Sequence, residues 1–145
     1  GTIAGVSNAL KEKNKNIKIY LSDPKGSSLY SYIKTKEFKS EGNSITEGIG
    51  SSRVTKNFEK ALIDDAYSIN DTTALTVLFD LIEKEGLSLG TSSGINVAGA
   101  IKLAEELGPN KTIVTILCDK SDRYQGKLFN KKFLMEKNLP YPRWL

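Results

Sequence analysis

Three short stretches carry residues that could do chemistry. "GTSSG", Gly90 to Gly94, places two hydroxyls and a glycine where a helix begins. A serine there can simply cap the helix, worth about 1 kcal/mol. The same hydroxyls and amides could instead hold an anion or a heteroaromatic nitrogen pressed on the helix mouth. "GTIAG", Gly1 to Gly5, opens another helix with a glycine and a hydroxyl. That is a weak phosphate signal, and it is neither Gly-x-Gly-x-x-Gly nor a Walker loop. "EGIG" sets Gly48 and Gly50 on either side of an isoleucine. It fits a turn that needs positive φ, or a bare backbone wall for a small substrate.

The missing residue types narrow the chemistry. The 145 residues contain no histidine and one cysteine, Cys118. Ser-His-Asp and Cys-His catalysis and the usual zinc sets are excluded, and no metal site is expected. A lone cysteine forms no internal disulfide and fits a reducing compartment. Cys118, at a strand end, reads as a small buried residue and not as a nucleophile. Acid–base work would fall to Lys, Asp, Glu, Tyr or a cofactor.

The net charge is +4, with the lysines spread thinly. Lys11, Lys13, Lys15 and Lys18 are the nearest thing to a basic cluster. They fit the wet end of a helix and the strand after it, so nucleic acid is not an expected partner. No apolar run is long enough to cross a bilayer, and none reads as a secretory signal.

The elements that would position these residues follow from periodicity. Ile3, Val6 and Leu10 predict a helix over Gly1 to Asn14. Ile17 to Leu21 reads as a strand, ending in the turn-rich "SDPKGSS". "LYSYIKTKE" predicts a short helix, and Phe38 to Ser51 a loop. A short helical piece and a strand near Ala66–Ile69 come next. Asp71 is expected to cap a helix whose apolar face is Leu75, Leu78, Phe79 and Ile82, with Gly86 as its stop. A helix from Ser93 to Leu107 ends at Gly108-Pro109. Gly94, Ala98, Gly99 and Ala100 on it fit close packing against a sheet. Thr112 to Cys118, a continuous β-branched run, reads as a strand covered on both faces. Helical pieces around Lys127–Leu128 and Lys131–Lys137 lead to the tail. Strands alternating with helices predict an α/β domain with a mostly parallel sheet flanked by helices. Ligands of such sheets sit where strands end and helices begin, which points to Gly1-Thr2, the 47–50 loop and Ser92-Ser93-Gly94.

"GTIAGVS", "SDPKGS", "EGIGSSR", "EGLSLGTSSGINVAGAIKLA" and "TIVTILCDKSDRYQGKLFN" stand in one order and spacing. In that arrangement the chain, over essentially all of residues 1–145, resembles the C-terminal half of cysteine synthases. These are fold type II enzymes that use pyridoxal phosphate to make cysteine from O-acetylserine and sulfide, releasing acetate. The resemblance implies that 1–145 is the C-terminal part of the cofactor-binding domain. Gly1 and Thr2 resemble the last two residues of the family's phosphate loop, Gly-Thr-Gly-Gly-Thr, and should hold the cofactor phosphate. Ser92 matches the serine that bonds the pyridine nitrogen. Gly48 matches a backbone position in the substrate site. A cytoplasmic homodimer is implied as well.

A serine against the ring nitrogen has its own logic. A hydroxyl gives a neutral hydrogen bond, whereas a carboxylate would keep the nitrogen protonated. The weaker electron sink suits β-elimination followed by addition of a thiol.

Three departures bear on function. The family's Schiff-base lysine lies in a Pro-x-x-Ser-x-Lys-like stretch, and none of the lysines here has that context. The substrate loop Thr-Ser-Gly-Asn-Thr-Gly is also absent. No catalytic residue is therefore assigned. Activity is expected to need the family's N-terminal half as a partner, and this chain alone is expected to be inactive. "CDKSDRY" stands where many relatives carry Pro-Ser-Ser-Gly, so Lys120 and Ser121 bear on substrate preference. The rival expectations are a cystathionine β-synthase, a serine/threonine dehydratase, or a non-catalytic binding half.

Overall fold

The computed structural model describes all residues, 1–145. The chain divides into two units, Gly1–Asn43 with Gly50–Ser68, and Ser44–Ile49 with Ile69–Leu145.

The first unit holds helix α1 (Thr2–Lys13), strand β1 (Tyr20–Pro24), helices α2 (Leu29–Thr35) and α3 (Lys56–Glu59), and strand β2 (Asp65–Ile69). β1 and β2 pair as a two-stranded parallel sheet. Parallel strands need a long crossover, which the helices and loops between them provide. Leu21, Leu29, Phe58 and Ala66 form its core, with Ile3, Ile33 and Val54 packed on the edge. The β1 strand starts three residues later than the apolar run suggested, because the Ile19 N–H goes to the Asp64 carboxylate at 2.7 Å. Asp23, fully buried at the end of β1, accepts the Tyr30 N–H at 2.8 Å and so fixes the first turn of α2.

The second unit holds helices α4 (Asp71–Glu85) and α5 (Thr91–Leu107), a 3-10 turn over Ser121–Tyr124, and helices α6 (Gln125–Leu128) and α7 (Lys131–Glu136). Leu75, Leu78, Phe79, Tyr124, Leu128 and Leu134 form its core. The expected face of α4 is therefore the one that packs, with Ile82 at its margin. Its cap is Asn70, whose side chain accepts the Thr73 N–H, and not Asp71. Asp71 is the first helical residue, and its carboxylate has another use described below.

α4 and α5 pack against each other. Gly94 makes this possible. A Cβ there would sit 2.6 Å from the Ala74 carbonyl oxygen and 2.8 Å from Leu78 Cγ. The small residues of α5 thus serve helix-on-helix contact at this point, where helix-on-sheet contact was expected.

Thr112–Cys118 forms no strand. The second unit contains no named strand with which it could pair. Val114 is 85% exposed, and Ile116 and Leu117 are about half exposed. Its β-branched composition favours a strand, but strand structure needs a neighbour to take its N–H and C=O groups. Cys118 is likewise exposed, not buried as expected.

Candidate functional site

The entrance of α5 is built by the extended segment that leads into it. Residues 118–121 run alongside 88–90. Gly90 N–H donates to the Asp119 carbonyl at 2.8 Å, Leu89 and Lys120 form an antiparallel bridge, and the Ser88 and Ser121 hydroxyls meet at 2.6 Å. Gly90 is the N-cap, and no side chain caps the helix. Ser92 and Ser93 are therefore inside the first turn, not before it, and the capping alternative for them does not hold. Ser93 Oγ accepts the Cys118 N–H at 3.0 Å, and Thr91 Oγ1 accepts the Glu47 N–H at 3.3 Å.

Ser92 differs from both neighbours. It is only 5% exposed, yet its hydroxyl takes no part in the hydrogen bonds of the fold. Nor is it a sealed oxygen. The buried side-chain oxygens without a partner are Oδ1 of Asp23 and Oδ1 of Asp119. The Ser92 hydroxyl thus keeps a trace of solvent contact in an otherwise buried turn and is left unbonded by the fold. No acidic residue belongs to that turn, though the Asp119 carboxylate lies against Gly90 at its entrance.

Asp119 also receives the Tyr124 hydroxyl on Oδ2 at 2.7 Å. That hydrogen bond, then burial, pushes the Tyr124 phenol above its ordinary range. Tyr124 is accordingly a fixed neutral donor that orients Asp119 beside Gly90.

The second component is the 44–49 loop. Asp71 holds its first half: one carboxylate oxygen takes the Ile45 N–H at 2.8 Å, and the other takes the Ser44 hydroxyl. A carboxylate at the first residue of α4 is itself favoured by the helix dipole. Thr91 holds the middle through Glu47 N–H. Lys127, on α6, donates to the Ile45 carbonyl at 3.1 Å and pairs with the Glu47 carboxylate. The Lys127 hydrogen bond, then its charge, holds the Glu47 carboxyl below its usual value. Gly48 follows at φ +76°, exposed, with open space where a Cβ would lie. The turn needs the left-handed region at Gly48, and no atom of the chain lies where a Cβ would be.

The structure therefore brings Gly48 and Ser92 to one place, joined through Glu47 and Thr91. Gly1 and Thr2 belong to the first unit. Gly1 is the N-cap of α1, with no side-chain cap and no acid in the first turn, and both residues are exposed. Their amides and the Thr2 hydroxyl are free to receive an anion. Asp71, Thr91 and Lys127 carry no signal in the sequence, because their partners in the loop lie 26, 44 and 80 residues away.

Residues 1–119 match the family of pyridoxal-phosphate dependent enzymes. The chain belongs to that family. Among curated relatives it is similar to the cysteine synthase of Dictyostelium discoideum. The two are 41% identical over 95% of this chain and 39% of that protein. It is also similar to cysteine synthase 1 of Neurospora crassa, 42% identical over 96% of this chain and 38% of that protein. Among solved structures it resembles an O-acetylserine dependent cystathionine beta-synthase from Helicobacter pylori. The TM-score is 0.77 at 32% identity, over 87% of this chain and 39% of that one. The chain thus spans about two fifths of the length of the relatives it matches. The family's cofactor suits the residues present. Taken unit by unit, the unbonded Ser92 hydroxyl could meet a ring nitrogen, and the uncapped, acid-free start of α1 could meet a phosphate. No group of three or more residues able to hold a metal ion is found, and no helix is long and apolar enough to cross a membrane.

Proposed function

We propose that this chain forms part of the site of a cysteine synthase that replaces the acetate of O-acetylserine with sulfide. The observation that carries the reading is Ser92, a buried residue whose hydroxyl is left unused by the fold. Residues 1–145 would be the C-terminal part of a fold type II cofactor domain. Pyridoxal phosphate, when bound, supplies the electron sink that lets the β-substituent leave. Ser92 would donate a hydrogen bond to the ring nitrogen and leave it unprotonated, which moderates that sink. Gly1 and Thr2 would hold the phosphate by amides and hydroxyl. Gly48 would offer bare backbone to the substrate. No lysine here is assigned the Schiff-base role; polypeptide beyond these residues, the family's N-terminal half, would supply it, and the 145 residues alone would be inactive. The reading places the enzyme in the cytoplasm as a homodimer.

One observation favours a second reading. The Helicobacter pylori structure that this chain resembles is an O-acetylserine dependent cystathionine beta-synthase, in which homocysteine would replace sulfide. Product analysis of the holoenzyme separates the two. Cysteine from acetylserine and sulfide, at a rate well above cystathionine from acetylserine and homocysteine, supports the first. Keto acid released with no nucleophile added points to a dehydratase. Failure to form any product with cofactor bound sinks both synthase readings and leaves the binding half.

A further inference from the structure

The 44–49 loop is gripped from three directions, yet two of the grips, Asp71 and Thr91, come from the α4–α5 pair. The third comes from α6. Lys127 is half-buried, its side chain 33% exposed, and it meets two features of the loop at once, the Ile45 carbonyl and the Glu47 carboxylate. Each does something different. The carbonyl bond orients the stretch that Asp71 already holds by the Ile45 N–H. The ion pair fixes the residue immediately before Gly48. Gly48 itself has no side chain and nothing packed where a Cβ would be. Its position is therefore inherited from Glu47, and Glu47 is held by Thr91 at the backbone and Lys127 at the side chain.

We propose that Lys127 is a positioning residue for substrate: it bridges the Ile45 carbonyl and the Glu47 carboxylate, and so holds Gly48 where the substrate's polar end meets bare backbone. This rests on the reading of Gly48 as a substrate-site residue. Lys127 touches neither substrate nor cofactor in this account. Its effect runs through the loop, so it acts on substrate binding and leaves the cofactor seated. A guanidinium can span the same two acceptors, whereas an isosteric apolar chain can do neither.

The test uses the holoenzyme as wild type, Lys127→Met and Lys127→Arg. Amide hydrogen exchange reports the loop, and steady-state kinetics with O-acetylserine report the substrate. In Lys127→Met, exchange over residues 45–49 should speed by about tenfold or more, the worth of a hydrogen bond from a charged group. KM should rise by a similar factor, with kcat within about twofold and cofactor absorbance unchanged. Lys127→Arg should restore both. Faster loop exchange with unchanged KM would reduce Lys127 to a structural role and overturn the proposal. So would unchanged exchange, or loss of cofactor along with KM. Should Lys127→Met fail to fold, the arginine variant together with Glu47→Gln decides: Glu47→Gln must speed exchange and raise KM. Wild-type holoenzyme that binds cofactor but ignores acetylserine sinks the functional reading instead. Loop exchange then still shows whether Lys127 holds residues 45–49, and the substrate role falls with the reading.

Discussion

Thr91 accepts the backbone N–H of Glu47 through its hydroxyl, at 3.3 Å. This single bond joins the residue before Ser92 to the residue before Gly48, so two stretches 44 positions apart become neighbours in one unit. Thr91→Val removes the acceptor and keeps the shape. It should cost about 0.5–1.5 kcal/mol, read as a rise in substrate KM, and Thr91→Ser should recover it. A valine variant with native KM would show that the bond positions nothing.

Ser92→Asp should leave the cofactor bound but hold its ring nitrogen protonated, and so slow β-replacement. Ser92→Ala should weaken cofactor retention by about 0.5–1.5 kcal/mol, the worth of one neutral hydrogen bond. Dialysis against free cofactor and single-turnover rates measure the two effects. Native rates in the aspartate variant count against the assignment of this hydroxyl to the ring.

Thr2→Ala should lower cofactor retention by about 0.5–1.5 kcal/mol, without moving the substrate KM at saturating cofactor. Retention equal to wild type means that the Thr2 hydroxyl serves some other contact.

Gly48→Ala separates backbone strain from substrate contact. At φ +76° an alanine costs about 1–2 kcal/mol, and no atom of the chain crowds the new methyl. Melting should therefore shift modestly, while KM rises more than the strain alone explains. Equal losses in both would leave Gly48 as a turn residue.

The Lys127–Glu47 pair has a defined pH window. Lys127 keeps the folded Glu47 carboxyl below its ordinary 4.5. A depressed acid contributes in full above the unfolded value and loses that contribution as pH falls through the folded one. Protection of the 45–49 amides, taken relative to their intrinsic exchange rate at each pH, should be flat from neutral pH down to about 5 and fall below about 4.5. In Glu47→Gln that acid-side step should vanish; a step that persists belongs to another carboxylate.

Much of this was legible in the residues. Apolar spacing located α1, α4 and the body of α5, and the stops at Gly86 and Gly108 stand where the helices end. Small residues marked the α5 entrance as a place of close approach, which the seating of Gly94 on Ala74 bears out. The start of α5 was misplaced by two residues because serine's capping preference is local, whereas here the approach along 118–121 makes Gly90 the cap and frees Ser92 for other use. Asn70 capping left Asp71 to the loop, a choice that depends on partners 26 residues away. Thr112–Cys118 shows the opposite case: composition speaks for a strand, but pairing is a property of two segments, and this unit offers one.

The close seating of Gly94 on Ala74 has a wider consequence. Ser92 rides on one arm of the α4–α5 hairpin, and Asp71, which fastens the loop bearing Gly48, begins the other. The hairpin is a shared chassis: a shim as thin as one methyl, inserted by Gly94→Ala, should cost about 1–3 kcal/mol and displace Ser92 and the 44–49 loop together.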